Sequence, residues 1–281
     1  KILIETIAIF LFICITAATF LIYKKPSYAK AITVGITIGI ASLTKATFLP
    51  FLLLIPLAVL FPKKANIKAK HSILIFLVGA IIITPWTLRN YYLTGKFIPI
   101  HTTAGTNFQW GDAFVRNYHK APLSAFELQQ LSKNRFHEIV KDWRDDNPGV
   151  WKNSSKWQKD AIEDSVGFAI SLRSYSENPL FFIKKLALNG IMFWTLGYNV
   201  LSSTIIILLQ VPLLILFAIG IRRIVERGEF STIYGIHISM VLIYFLLHLP
   251  IFAFARLSVV LIPTMVIYSA PVLLKSIEKN R

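Results

Sequence analysis

The sequence predicts an all-α polytopic membrane protein, with about seven transmembrane helices and one mainly helical extracytoplasmic domain. Three observations predict it. Hydrophobic residues make up 55% of the chain and charged residues 16%, and the mean hydropathy is +0.60. Several uninterrupted apolar runs approach the ~20 residues that a helix needs to cross hydrocarbon. The cations gather in the short connections between those runs, where cytoplasmic loops carry them.

Taken in order, the clearest runs cover residues 2–23, 72–88, 203–221, 232–249 and 257–274. Residues 31–44 and 46–61 are shorter and are split by Lys45 and Pro50, so they read as two short spans with a tight turn. Residues 180–200 are apolar too, but Lys184, Lys185 and Asn189 interrupt them. That pattern fits a helix lying in the interface better than one crossing the membrane.

The net charge of +16 would point to nucleic acid in a soluble protein. Here it points to topology. Thirteen of the thirty Lys and Arg lie in short connections or at the C-terminus, at Lys24, Lys25, Lys30, Lys63, Lys64, Lys68, Lys70, Arg222, Arg223, Arg227, Lys275, Lys279 and Arg281. Residues 91–180, by contrast, hold eleven basic and ten acidic side chains and are nearly neutral. No nucleic-acid partner is implied. With the basic loops inside, the first span runs inward to Lys24-Lys25, and the next two form a hairpin whose turn near Lys45 faces outward. The fourth emerges at Arg89, and three more follow the outer domain. The expected division is a membrane region over residues 1–90, an extracytoplasmic domain with an interfacial helix over 91–200, and a membrane region over 201–281. The first residue, Lys1, enters a hydrophobic helix at once, and the chain is expected to be a fragment that lacks earlier membrane helices. The lone Cys14 sits in an apolar span and forms no disulfide framework.

Within the outer segment, Thr94-Gly95-Lys96 reads as a turn, followed by a short extended piece to Pro99. Residues 101–112, rich in Thr and Gly, read as loop. Residues 124–144 repeat apolar side chains at helical spacing, with Ser124 as N-cap and Glu127 completing a capping box. Asp145-Asp146-Asn147-Pro148-Gly149 breaks the pattern, and residues 155–175 form a second amphipathic helix that ends at Asn178-Pro179.

The most informative segment is Pro85-Trp86-Thr87-Leu88-Arg89-Asn90-Tyr91-Tyr92. An apolar run that closes on Pro-Trp and then Arg-Asn-Tyr is a span reaching the interface, with aromatic rings at headgroup level. Lys45, Arg89 and Arg256 fall at one expected membrane depth. A charge there is costly unless it serves a ligand or partner. Arginine binds phosphate oxygens with paired, charge-assisted bonds, while lysine supplies a point charge. The three are therefore candidates for binding a lipid phosphate, against the alternative that each snorkels separately to the headgroups. His101, Trp110 and Asp112 follow soon after. Trp110 has a face on which a sugar ring can stack, and Asp112 is a weak candidate for a catalytic base. The alternative is that Trp110 packs under the outer helices and Asp112 caps a turn. The acidic clusters Asp142/Asp145/Asp146 and Asp160/Glu163/Asp164 alternate with Lys and Arg and read as solvated faces. No metal-ligand spacing, phosphate-binding glycine loop or nucleophile elbow occurs, and no cofactor is evident.

Together, Leu43-Thr44-Lys45, the Pro85–Tyr91 segment, Gly95-Lys96-Phe97-Ile98-Pro99, Gly105, Trp110-Gly111-Asp112, Ser176-Glu177-Asn178-Pro179-Leu180-Phe181 and Arg256 with Pro263 resemble the later part of a membrane glycosyltransferase of the GT-C class. They are similar to the bacterial dolichyl-phosphate-mannose–protein mannosyltransferases and aminoarabinose transferases. Ala46 stands where that family has a proline, and Asp112 where it has asparagine. The resemblance implies a GT-C fold in a bacterial plasma membrane. It implies transfer of a sugar from a polyprenyl-phosphate donor to a hydroxyl acceptor at the outer face. Lys45, Arg89 and Arg256 would attend the phosphate, Trp110 and His101 the substrate. The family's catalytic carboxylates lie in a loop between early spans, ahead of the part that this chain resembles. Two readings compete with it. A transporter or flippase of a lipid-linked or anionic solute would also want buried cations, and a non-catalytic membrane scaffold would use the outer domain to hold a partner.

Overall fold

The computed structural model describes residues 2–60, 69–117, 125–226, 228, 232–251 and 255–279. Every element among them is helical. The helices are α1 (Ile2–Lys24), α2 (Tyr28–Thr44), α3 (Phe51–Leu60), α4 (Ala69–Thr94), α5 (Ala104–Asn117), α6 (Ala125–Asp146), α7 (Pro148–Asn153), α8 (Lys156–Glu177), α9 (Pro179–Thr195), α10 (Val200–Glu226), α11 (Thr232–Leu246) and α12 (Ile262–Lys279). Short 3₁₀ turns over Ala46–Phe48 and Ala255–Leu261 precede α3 and α12.

Three of these helices, α1, α4 and α10, are long and apolar enough to cross a membrane. The remaining apolar segments expected as spans form shorter helices, at Tyr28–Thr44, Ala46–Leu60, Tyr234–Leu246 and Ala255–Ala270. Their shortness has a local cause in the second of them. The backbone at Lys45 is extended, and Pro50 follows, so α2 stops and a 3₁₀ turn intervenes before α3. Large apolar side chains along α10 point outward, among them Leu201, Leu208 and Leu209. A helix crossing hydrocarbon has no reason to hide them.

The chain divides into two compact units. The first comprises Lys1–Pro85, Leu208–Tyr244 and Ser258–Arg281. Here α2 and α4 approach closely at small residues. A Cβ on Gly35 would stand 2.7 Å from the Ile75 carbonyl oxygen, and one on Gly39 2.9 Å from the Ile82 Cβ. Such close backbone approach is how helices associate where no hydrophobic drive exists between them. Phe12, Phe48, Phe51 and Tyr244 form an aromatic cluster with centroids 5.7–6.3 Å apart. At the cytoplasm-facing end expected for α1, the Lys30 ammonium donates to the Leu21 and Lys25 carbonyls and closes the helix C-terminus.

The second unit comprises Trp86–Ile207 and Phe245–Leu257. It holds α5–α9 and the last turns of α4. The amphipathic helix expected over 155–175 is α8, and the capping box is at its start: Ser155 Oγ accepts from the Gln158 amide, and Gln158 Oε1 accepts from the Ser155 amide. The box expected at Ser124 lies outside the described residues. Phe114 and Met192 form a buried centre with Trp110, Leu188 and Leu196 against it. Two expectations change. The fourth span, expected over 72–88 with its exit at Arg89, continues as helix to Thr94, where Gly95 turns the chain at φ 71°. Residues 104–117, expected as loop as far as 112, form helix α5 instead. The cause is tertiary. The Asp164 carboxylate of α8 accepts from the Gly105 amide at 2.8 Å and the Thr106 amide at 3.3 Å and so caps the N-terminus, while the hydroxyl of Thr103, just ahead of α5, bonds His101 Nδ1 instead.

Candidate functional site

The end of α4 is built to capture the chain that follows it. Trp86 Nε1 donates to the Ile100 carbonyl at 2.6 Å, and Thr87 Oγ1 to the Pro99 carbonyl at 3.0 Å. Asn90 is buried, and its Nδ2 donates to both the Ile98 and Ile100 carbonyls, at 3.0 and 2.9 Å. Residues 98–100 cannot pair their own carbonyls in a ladder, so these three side chains satisfy them. This is the physical content of the Trp-Thr-Leu-Arg-Asn spacing: positions 86, 87 and 90 share a helix face and grip the loop.

Arg89 is exposed. Its guanidinium lies 4.8 Å from the Trp86 ring centroid and 5.1 Å from that of Trp157, in the first turn of α8. The polar contact recorded for it is to Asn90 Oδ1, at 3.4 Å. Among the described residues no carboxylate stands within ion-pair distance of it. Two indoles hold the plane by cation–π attraction, worth about 0.5–1 kcal/mol each at an exposed site, and leave the N–H edges available. A planar cation fixed in this way is prepared for an oxyanion, because its rotamer entropy is already spent.

Asp112 has a different environment. It is 4% exposed and lies at the centre of a closed network. Its Oδ1 accepts from Lys185 Nζ at 2.7 Å and from Tyr175 Oη at 2.8 Å, while Oδ2 accepts from Ser171 Oγ at 2.8 Å. Lys185 Nζ also donates to the Phe108 carbonyl and to Tyr175 Oη, and Gln109 Nε2 donates to Ser171 Oγ. Burial pulls the Lys185 ammonium down to about 8, against the upward pull of Asp112. Burial, then the Asp112 charge, pushes the Tyr175 phenol up. The network therefore ties α5, α8 and α9 together. Three donors occupy three of the roughly four acceptor positions of the carboxylate, and the group is buried, whereas a general base must reach an external hydroxyl.

Trp110 packs on the buried centre at Phe114 and Met192, its carbonyl accepts from Ser132 Oγ, and Lys133 lies 5.9 Å over its ring. It is thus wedged between helices. His101 accepts or donates at Nδ1 with Thr103 Oγ1, 2.7 Å away, and burial holds its pKa below the ordinary value although the Asp164 charge raises it. Asp164, expected on a solvated face, is instead the half-buried cap of α5, and burial raises its carboxyl against the amide bonds that lower it. Arg256 sits half-buried on the 3₁₀ turn, next to Ala255, whose amide donates to the Leu196 carbonyl at 2.9 Å. Lys45 belongs to the first unit. Its ammonium donates to Tyr244 Oη at 2.9 Å, with the ring centroid 5.6 Å away, so it has a protein partner besides any headgroup.

The structure thus brings Arg89 together with Trp86 and Trp157. Sequence reasoning missed Trp157, Tyr175 and Lys185. For Lys185 a signal existed, since a lysine interrupting an apolar run is costly unless something compensates it. No group of three His, Cys, Asp or Glu able to hold a metal ion occurs among the described residues. Compared with known proteins, the chain matches no family model, no curated protein and no solved structure.

Proposed function

We propose that this chain is part of a membrane transferase that passes a sugar from a polyprenyl-phosphate donor to a hydroxyl acceptor at the outer face. The observation that carries the reading is Arg89: an exposed guanidinium, clamped by two indoles near the end of a membrane-length helix, with no carboxylate at ion-pair distance among the described residues. A lipid carrier approaches through the bilayer and presents its phosphate at interface depth, where this cation is expected. In the transfer, the acceptor oxygen bonds to the anomeric carbon and the bond from that carbon to the phosphate oxygen breaks. The phosphate leaves with the electron pair, and a fixed guanidinium stabilises the charge that grows on it. The acceptor proton goes to a carboxylate, which the resemblance assigns to a loop between the family's early spans. Asp112 is a brace in this scheme, not the base.

The test is titration of the chain, in lipid nanodiscs, with undecaprenyl phosphate. Arg89→Gln is expected to weaken binding about tenfold or more, as loss of charge-assisted bonds worth about 1.5–3 kcal/mol implies. Arg89→Lys recovers little of it, because an ammonium neither forks nor stacks as the guanidinium does. Unchanged binding in both variants rejects the reading. It would favour the scaffold alternative, which the wholly structural use of Asp112 already suits.

A further inference from the structure

Helix α9 is inside out. Its protein-facing side carries Lys185 and Asn189, both fully buried, beside Met192 and Phe193. Asn189 Nδ2 donates to the Leu249 and Ile251 carbonyls at 2.7 and 2.6 Å, and Lys185 closes the Asp112 network. The opposite side carries Leu180, Ile183 and Ile191, which are 77%, 60% and 61% exposed. These three recur at helical spacing and form one stripe. A helix on the surface of a water-bathed domain has the reverse pattern, with its apolar stripe against the core. Here Lys185 and Asn189 have protein partners, whereas Leu180, Ile183 and Ile191 stand largely exposed.

We propose that this stripe is a membrane-docking surface, seated among the acyl chains of the leaflet that adjoins it. The chain passes from α9 through residues 196–199 into α10, which is apolar enough to cross a membrane. Exposed Val200 and Leu201, at the start of α10, continue the apolar surface. Tyr198, also exposed, stands at the junction, the place where a ring with a polar tip settles at headgroup depth. Lys184 lies exposed within the stripe, and its long stem lets the ammonium reach lipid phosphates while the helix stays lower. A leaflet satisfies both features at once, with hydrocarbon for Leu180, Ile183 and Ile191 and an anionic headgroup for Lys184. The docking would fix the depth at which the outer helices sit, independently of whether the protein transfers sugars.

The test is nitroxide accessibility in the full chain carrying Cys14→Ser, reconstituted in vesicles of phosphatidylcholine and phosphatidylglycerol. Spin labels go on Ile183→Cys or Ile191→Cys, with Lys156→Cys on α8 as a solvent reference. All three side chains are exposed, so none of the changes threatens folding. The expected result is a ratio of oxygen to nickel-complex collisions several-fold higher at 183 and 191 than at 156. Nickel-favoured collisions at 183 and 191 would place the stripe in water and overturn the proposal. Poor access by both reagents would mean that protein, such as a second copy of the chain, covers the stripe, and this would overturn it equally.

Discussion

Replacing Lys185 by methionine removes the one cation of the network while keeping most of the side-chain volume. The Asp112 carboxylate then remains buried, with two hydroxyl donors, from Ser171 and Tyr175, but no opposite charge. The Phe108 carbonyl and Tyr175 Oη also lose their donor. Stranding one member of a buried ion pair costs about 3–5 kcal/mol. Asp112→Leu alone should cost a similar amount, since it strands the ammonium. The double variant, Lys185→Met with Asp112→Leu, removes both charges and should lose clearly less than the two single losses added together. Denaturant unfolding in detergent, followed by tryptophan fluorescence, measures all three. Two results would refute the argument: Lys185→Met within about 0.5 kcal/mol of the parent, or strict additivity in the cycle.

Further outcomes follow from the same geometry. Asn90→Leu leaves the Ile98 carbonyl without its side-chain donor and the Ile100 carbonyl with that of Trp86 alone, and should cost about 1–3 kcal/mol, with faster amide exchange over residues 96–101. Gly105→Ala places a Cβ against the Asp164 carbonyl oxygen and 2.6 Å from the Phe168 amide nitrogen, both backbone atoms of α8. Overpacking of that kind should cost about 1–3 kcal/mol, whereas Gly149→Ala, where a Cβ meets open space, should be near neutral in the same thermal assay.

The sequence carried the helical character of the chain because apolar periodicity and caps are local signals. The run over 155–175 is α8, and Asn147-Pro148 breaks the outer helices where turn chemistry says it should. Helix α5 was illegible because its N-terminal cap comes from Asp164, 59 positions along the chain from Gly105. The end of α4 was expected at 88 because the apolar run stops there, whereas the helix continues through Asn90, Tyr91 and Tyr92 to Thr94. At the candidate site, Arg89 was legible as a cation at a span end, but its indole partner Trp157 was not, since nothing local links positions 89 and 157. Asp112 was visible only as a carboxylate near a span. Its three donors, which tie it to the helices around it, come from two later helices.

The measurement that tests the central claim most directly is photo-crosslinking with a polyprenyl phosphate bearing a diazirine next to the phosphate, in the chain reconstituted in lipid. Peptide mapping should place the crosslink on residues around Trp86–Asn90 and Trp157, lost in Arg89→Gln and competed by unlabelled undecaprenyl phosphate but not by undecaprenol. Crosslinks confined to other helices, or competed as well by the uncharged alcohol, would contradict a phosphate site at Arg89 and with it the proposed function.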